Sequence, residues 1–204
     1  KVALEYGFNN DVVQRIFLLA ETLFNRTHLG SVFESESAIT HSFEATKLLL
    51  EMREIYEYLG EDVNAVIKKG LLPRKGGSQN IPITKNLETR IKTFIHKVDR
   101  VRDIMIQLLK LFYEIKPEKK LLDNIREAIS IKHGSETPMT IFFDQIRPGL
   151  EFSRNLRNAI EHPSDQKKLI ILDYNLSPDA SVDPPTIEFL HPETDQPKTD
   201  AVSF

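Results

Sequence analysis

Apolar residues recur at spacings of three and four through most of the first 163 positions, and that period predicts helices. Val13, Ile16, Phe17, Ala20, Leu23 and Phe24 form one stripe. It is entered through the side-chain caps offered by Asn9, Asn10 and Asp11 and stops at His28-Leu29-Gly30. A second stripe, over about residues 35–59, runs through Ile39, Phe43, Leu50, Ile55 and Leu59, and Gly60 is expected to end it. Residues 61–69 read as a short separate helix. Between 73 and 82 the chain turns to Pro, Gly, Ser and Asn, so a flexible basic loop is expected at about 70–84. Lys75-Gly76-Gly77-Ser78 within it has the wrong order for a phosphate-binding loop.

The longest periodic run is Leu87, Ile91, Phe94, Val98, Val101, Met105, Leu108, Phe112 and Ile115, which alternates fours and threes through four heptads. Such a helix is about 45 Å long, and its seam must bury against its own bundle or against a second copy of the chain. The core seam is the simpler reading, because the basic residues on its polar faces are mixed with Glu88, Asp99 and Asp103 in the manner of a solvated face. Pro117 is placed to open the next helix, with Leu121, Leu122, Ile125, Ala128 and Ile129 inward and His133-Gly134 as its close. Pro138 opens the last one, which runs to His162. Arg147-Pro148-Gly149 lies inside it, where a proline costs about 3 kcal/mol in a regular helix, so a kink or break is expected there.

Beyond Pro163 the period changes from helical to alternating. Residues 168–174 and 186–190 are short β-prone runs separated by turn residues, and a two-stranded hairpin is predicted. A lone hairpin is marginal, so it should pack on the helices or on a partner. The sequence thus predicts an all-α, up-down bundle of about five helices with a small C-terminal β-hairpin. Its organisation is a helical region over 1–163, a hairpin appendage over 164–191 and a solvated tail over 192–204.

Composition narrows the function classes. Forty per cent apolar and 28 % charged residues are ordinary for a globular chain. The absence of cysteine excludes disulfides and thiolate metal sites and fits a cytoplasmic setting. The longest apolar runs, 16–20 and 169–172, are too short to span a bilayer, so no membrane partner is expected. A net charge of −3 argues against general coating by nucleic acid. It hides an asymmetry: 85–120 carry ten Lys/Arg against five Asp/Glu, and 173–200 carry seven acids against Lys198 alone. A polyanion would have to use one face.

The candidate chemistry lies at the end of the last helix. On a wheel of about 100° per residue, Arg157, Glu161, Arg154, Asn158 and His162 fall within roughly 140°, while Ala159, Phe152, Leu156 and Ile160 fill the opposite arc. Pro163 ends the helix at or before His162. Arg157-Asn158-x-x-x-His162 resembles the R-x4-6-H signature of the HEPN superfamily, including the polar residue that often follows the arginine. That resemblance implies a small helical bundle acting as a homodimer and a metal-independent endoribonuclease with RNA as substrate. It also implies a place in prokaryotic defence or toxin–antitoxin systems, with a cognate antitoxin as a partner. In such dimers the two motifs meet across the interface, giving two histidines and two arginines in one cleft.

Metal-free RNA cleavage needs a base for the 2′-hydroxyl, an acid for the 5′-oxygen and donors for the charge on phosphorus. Histidine suits either proton transfer, and the negative end of the helix dipole at His162 favours the imidazolium and hence the acid role. Arg157 suits a bidentate clamp on the scissile phosphate and Arg154 a contact to a neighbouring one. Asn158 is placed to orient His162 or bond the ribose. Glu161 is a substrate-side acid or, more simply, the ion-pair partner of Arg157 or Arg154. No metal-ligand pattern, dinucleotide fingerprint or nucleophile elbow is present, so no cofactor is expected. The competing readings are a non-catalytic HEPN-like dimeric interaction or nucleotide-binding module and, more weakly, a DNA-binding regulator. The second of these lacks a helix-turn-helix pattern and a strongly basic face.

Overall fold

The computed structural model describes residues 10–24, 34–69, 81–113, 115, 120–177, 181–194 and 196–202. They are mostly helical, with a small antiparallel sheet at the C-terminal end. The helices are α1 (Asp11–Leu23), α2 (Ser35–Lys69), α3 (Leu87–Phe112), α4 (Leu121–His133) and α5 (Pro138–Glu161). Among the described residues no helix is long and apolar enough to cross a membrane.

Local chemistry sets several of the boundaries. The Asn10 side-chain oxygen accepts from the Val12 and Val13 amides and caps α1. Gly134, at φ 100°, closes α4 in a conformation that a side chain would resist. The residues expected to continue α1 to Gly30, to start α4 at Pro117 and to form most of the 70–84 loop lie outside the described set.

Two helix expectations need correction. Gly60 does not end a helix: α2 continues through it to Lys69. Leu59 and Val63, four apart on either side of the glycine, are both buried in one core, and their burial outweighs the roughly 1 kcal/mol that glycine costs in a helix. Of the kink or break expected at 147–149, the break is absent: α5 is one helix through Pro148. Pro148 is exposed, so water can serve the carbonyl left without a donor, and Arg147 braces the turn through Glu151 at 2.9 Å and Asp123 at 2.8 Å.

The chain forms two compact units, each drawn from separated stretches of sequence. The first takes Lys1–Leu50 and Lys97–Glu151. Its main core is Ile106, Tyr113, Ile125, Ile129, Phe143 and Leu150, with a smaller cluster around Val13 and Leu50. A paired fork from Arg126 to Asp144, at 2.7 and 2.9 Å, ties α4 to α5. Asp99 and Arg102, both nearly buried, approach to 2.8 Å at an angle outside hydrogen-bond geometry. Burial pushes the Tyr113 phenol up, and its hydroxyl lies 3.1 Å from His133 Nε2.

The second unit takes Glu51–His96 and Phe152–Phe204. Here β1 (Lys168–Leu172), β4 (Thr186–Leu190) and β5 (Gln196–Asp200) form an antiparallel sheet in the order β1-β4-β5, while β2 (Asn175–Leu176) pairs with β3 (Val182–Asp183). The predicted hairpin is present, with Leu169 opposite Phe189 and Ile171 opposite Ile187. Residues 196–200 depart from the expected tail: they pair with β4 across a bulge between Ile187 and Phe189, and the Ala201 amide donates to the Pro185 carbonyl at 2.8 Å. Alternation in β4 turns Ile187 and Phe189 inward onto Leu59, Ile91, Ile95, Leu156 and Ala159. Full burial of a side chain the size of Phe189 is worth about 1.5–3 kcal/mol.

The α3 seam is only partly where the heptads place it. Leu87 and Ile91 are buried as expected, but the most deeply buried residues farther along are Ile95 and Ile104, each beside a predicted seam position that is only half-buried. A helix contacted from more than one side buries more than a single stripe.

Candidate functional site

The last turns of α5 carry the site, all within the second unit. Leu156 and Ala159 fix the rotation of this segment by packing into the core beside Ile187 and Phe189. That orientation leaves Arg154, Glu161 and His162 exposed and Arg157 and Asn158 half-buried. The helix hydrogen-bond ladder runs to its predicted end: the His162 amide donates to the Asn158 carbonyl at 2.9 Å, and Pro163 follows.

Arg157 and Glu161 form an ion pair, with Nη2 2.8 Å from Oε2. A carboxylate at the C-terminal end of a helix opposes the helix dipole, and this guanidinium offsets that unfavourable placement. The Arg157 hydrogen bond is the main reason the Glu161 carboxyl lies below the usual carboxylate range. Partial desolvation opposes it, and the positive charges of Arg157, His96 and His162 add to it. One carboxylate on the protein surface is thus held mainly by one guanidinium. Such exposed pairs contribute little to stability, and a phosphate can compete for the same donors.

Arg154, one turn earlier, is directed elsewhere. Its Nη2 lies 3.6 Å from Glu193 Oε2, in the segment after β4, and 3.5 Å from the Asn155 side-chain oxygen. The described contact of Asn158 runs through its backbone carbonyl. The structure therefore brings Arg157, Glu161 and His162 together at the end of α5, with Asn158 within their span, and sets Arg154 into a second pair one turn earlier.

Sequence reasoning missed two residues. Asn155 is 1 % exposed, and its amide donates to Thr194 Oγ1 at 2.9 Å with Glu193 Oε2 at 3.5 Å. On the wheel it stands about 160° from Arg157, at the margin of the apolar arc, and that position was the available signal. His96, on α3, carried no signal at all, because only the folded chain brings its charge to Glu161. His191 is buried, stacks on Phe189 with ring centres 5.8 Å apart, and accepts from the Glu193 amide at 3.2 Å. It thereby shapes the turn that meets Arg154 and Asn155.

Elsewhere in the unit, a depression of about 390 Å³ is lined by Leu172, Asp173, Tyr174, Asn175, Asp183 and Thr186. Both Asp173 oxygens there accept the Thr84 amide, which holds residues 81–86 in place. Among the described residues no group of three His, Asp or Glu is arranged to hold a metal ion. Comparison with family models, with curated proteins and with solved structures finds no match to this chain.

Proposed function

We propose that this chain is a metal-independent endoribonuclease of HEPN type, built on a helical bundle and acting as a homodimer, with Arg157, Asn158 and His162 as its motif. The observation that supports it most is that a half-buried Arg157, paired with Glu161, and an exposed His162 share one helix end. A scissile phosphate displacing Glu161 would gain a forked guanidinium contact while an imidazole stood beside it. The 2′-hydroxyl loses its proton to a base and its oxygen bonds to phosphorus. The bond from phosphorus to the 5′-oxygen breaks, and an acid protonates that oxygen. The products are a 2′,3′-cyclic phosphate and a 5′-hydroxyl. The family resemblance supports RNA as substrate, a role as an effector of prokaryotic defence or a toxin–antitoxin pair, and an antitoxin as partner.

The test is cleavage of RNA by the purified chain in EDTA. The expected result is 2′,3′-cyclic phosphate ends, lost in Arg157→Ala and in His162→Ala. RNA left intact by the wild type, or equal cutting by both variants, removes the reading.

One observation favours a second reading. Both arginines already have carboxylate partners, Arg157 with Glu161 and Arg154 with Glu193. A non-catalytic dimeric interaction module would use the same groups to hold its own surface. Under that reading His162→Ala weakens self-association in sedimentation and alters no RNA.

A further inference from the structure

We propose that Glu54, Ile55, Tyr58 and Arg90 form a binding subsite for a single RNA base, guanine, within the second unit. The inference deepens the ribonuclease reading, on which it rests for RNA as the ligand. These four residues line one hollow of about 280 Å³. That is just under the ~300 Å³ at which pockets for drug-sized ligands begin, which is room for one flat ring system. Glu54, Tyr58 and Asp62 stand four apart on α2 and so share one side of that helix. Arg90 reaches them from α3. Its guanidinium carbon lies 4.0 Å from the centre of the Tyr58 ring, and Nη1 lies 2.8 Å from Asp62 Oδ2. Leu59 of α2 and Ile91 of α3 are buried in one core, which holds the two helices at this approach.

The lining chemistry selects the ligand. Tyr58 keeps 51 % of its exposure with a guanidinium over one face, so the other face is open to a planar ring. Stacking on an aromatic side chain or on arginine is how proteins commonly hold unpaired RNA bases. The Glu54 carboxylate is exposed and has no hydrogen bond or ion pair among the described residues. It can only accept, whereas Arg90 can only donate, and Asp62 leaves its Nε and Nη2 unused. Guanine alone of the four RNA bases sets two donors side by side, N1–H and the N2 amino group, to match two carboxylate oxygens. Its O6 and N7 are acceptors, the pair that arginine reads. Ile55 supplies the apolar wall.

The deciding experiment measures binding of labelled 2′-O-methyl pentanucleotides to the full chain by fluorescence anisotropy. Uracil flanks a central guanine, adenine, cytosine, uracil or hypoxanthine, and the methyl groups block cleavage, so binding is read without reaction. Guanine should bind about 5–150-fold more tightly than the other three RNA bases, the range expected of one bidentate pair. Hypoxanthine lacks the N2 amino group and should lose most of that preference in the wild type, whereas Glu54→Gln should bind it and guanine alike. Tyr58→Ala should weaken the guanine oligomer by about 5–150-fold, the range for loss of one stacked base, and Tyr58→Phe should bind as the wild type does. Unchanged urea midpoints would show that the variants fold.

Five oligomers that bind alike, or variants Glu54→Gln and Tyr58→Ala that hold guanine as tightly as the wild type, overturn the subsite. If RNA is nevertheless cut in EDTA and the cutting needs Arg157 and His162, the ribonuclease reading stands without it. A guanine preference that both variants lose, in a chain that leaves RNA whole, keeps the subsite and removes the ribonuclease reading.

Discussion

The two compact units reach a buried core by different routes. In the first, every core residue comes from a helix or its immediate end, and side chains such as Ile125, Ile129 and Phe143 supply it. In the second, Ile187 and Phe189 of β4 meet Leu59, Ile91, Ile95 and Leu156 from three helices. The charged groups differ in parallel. Arg126 and Asp144 tie two helices together in the first unit, whereas Arg157 and Glu161 of the second are neighbours on one helix. A pair that joins two elements has a structural task, and one that spans a single helical turn contributes little to the fold. The second kind is the one that a ligand can take over at small cost.

The largest effects should come from the cores. Phe143→Ala and Phe189→Ala each remove a ring that is almost wholly buried, and each is expected to cost about 3–5 kcal/mol in urea unfolding. A cost below about 1 kcal/mol for Phe189→Ala would mean that the sheet contributes no real core, and the comparison would collapse.

An intermediate effect is expected at Asn155. Asn155→Ala removes the bond to Thr194 and leaves a partly buried hydroxyl without its donor, at about 1–3 kcal/mol. If its urea midpoint matches the wild type, the turn after β4 is not anchored through this residue.

The smallest effects should come from the surface carboxylates, and they carry a pH signature. Asp144 and Glu161 both lie below the ordinary carboxylate range, mainly through hydrogen bonds from Arg126 and Arg157 respectively. A folded-state value below the unfolded one stabilises the protein above the unfolded pKa, and that contribution disappears as pH falls through the folded value. Asp144→Asn and Glu161→Gln should therefore differ from the wild type in thermal midpoint at pH 7 and converge on it in acid. The Asp144 difference should be the larger. If Glu161→Gln proves the more damaging, its ion pair is a structural brace, and the case for displacement by phosphate weakens.

Much of the site was legible along the chain, because a helix wheel needs only local sequence. Arg157, Glu161 and His162 fall on one exposed side as their spacing requires, and Pro163 ends the helix behind them. Arg154 shares that face but turns to Glu193, a partner that spacing on one helix could not reveal. Gly60 and Pro148 mislead for a related reason. Their local penalties are a few kcal/mol at most, and they are opposed by burial of Leu59 and Val63 around Gly60 and of Phe143 and Leu150 around Pro148.

By itself the amino-acid order determined the helical run up to Pro163, the pairing-prone segments of β1 and β4, how α1 begins and α4 ends, and which groups crowd the end of α5. All of these depend on residues within a turn or two of one another. Only the tertiary structure decided that Ile95 rather than Phe94 is the deeply buried residue of α3, that residues 196–200 add a third strand, and that His96 acts on Glu161. Each of those depends on contacts between segments far apart in sequence, and periodicity, being local, says which face of an element is apolar but not what will cover it.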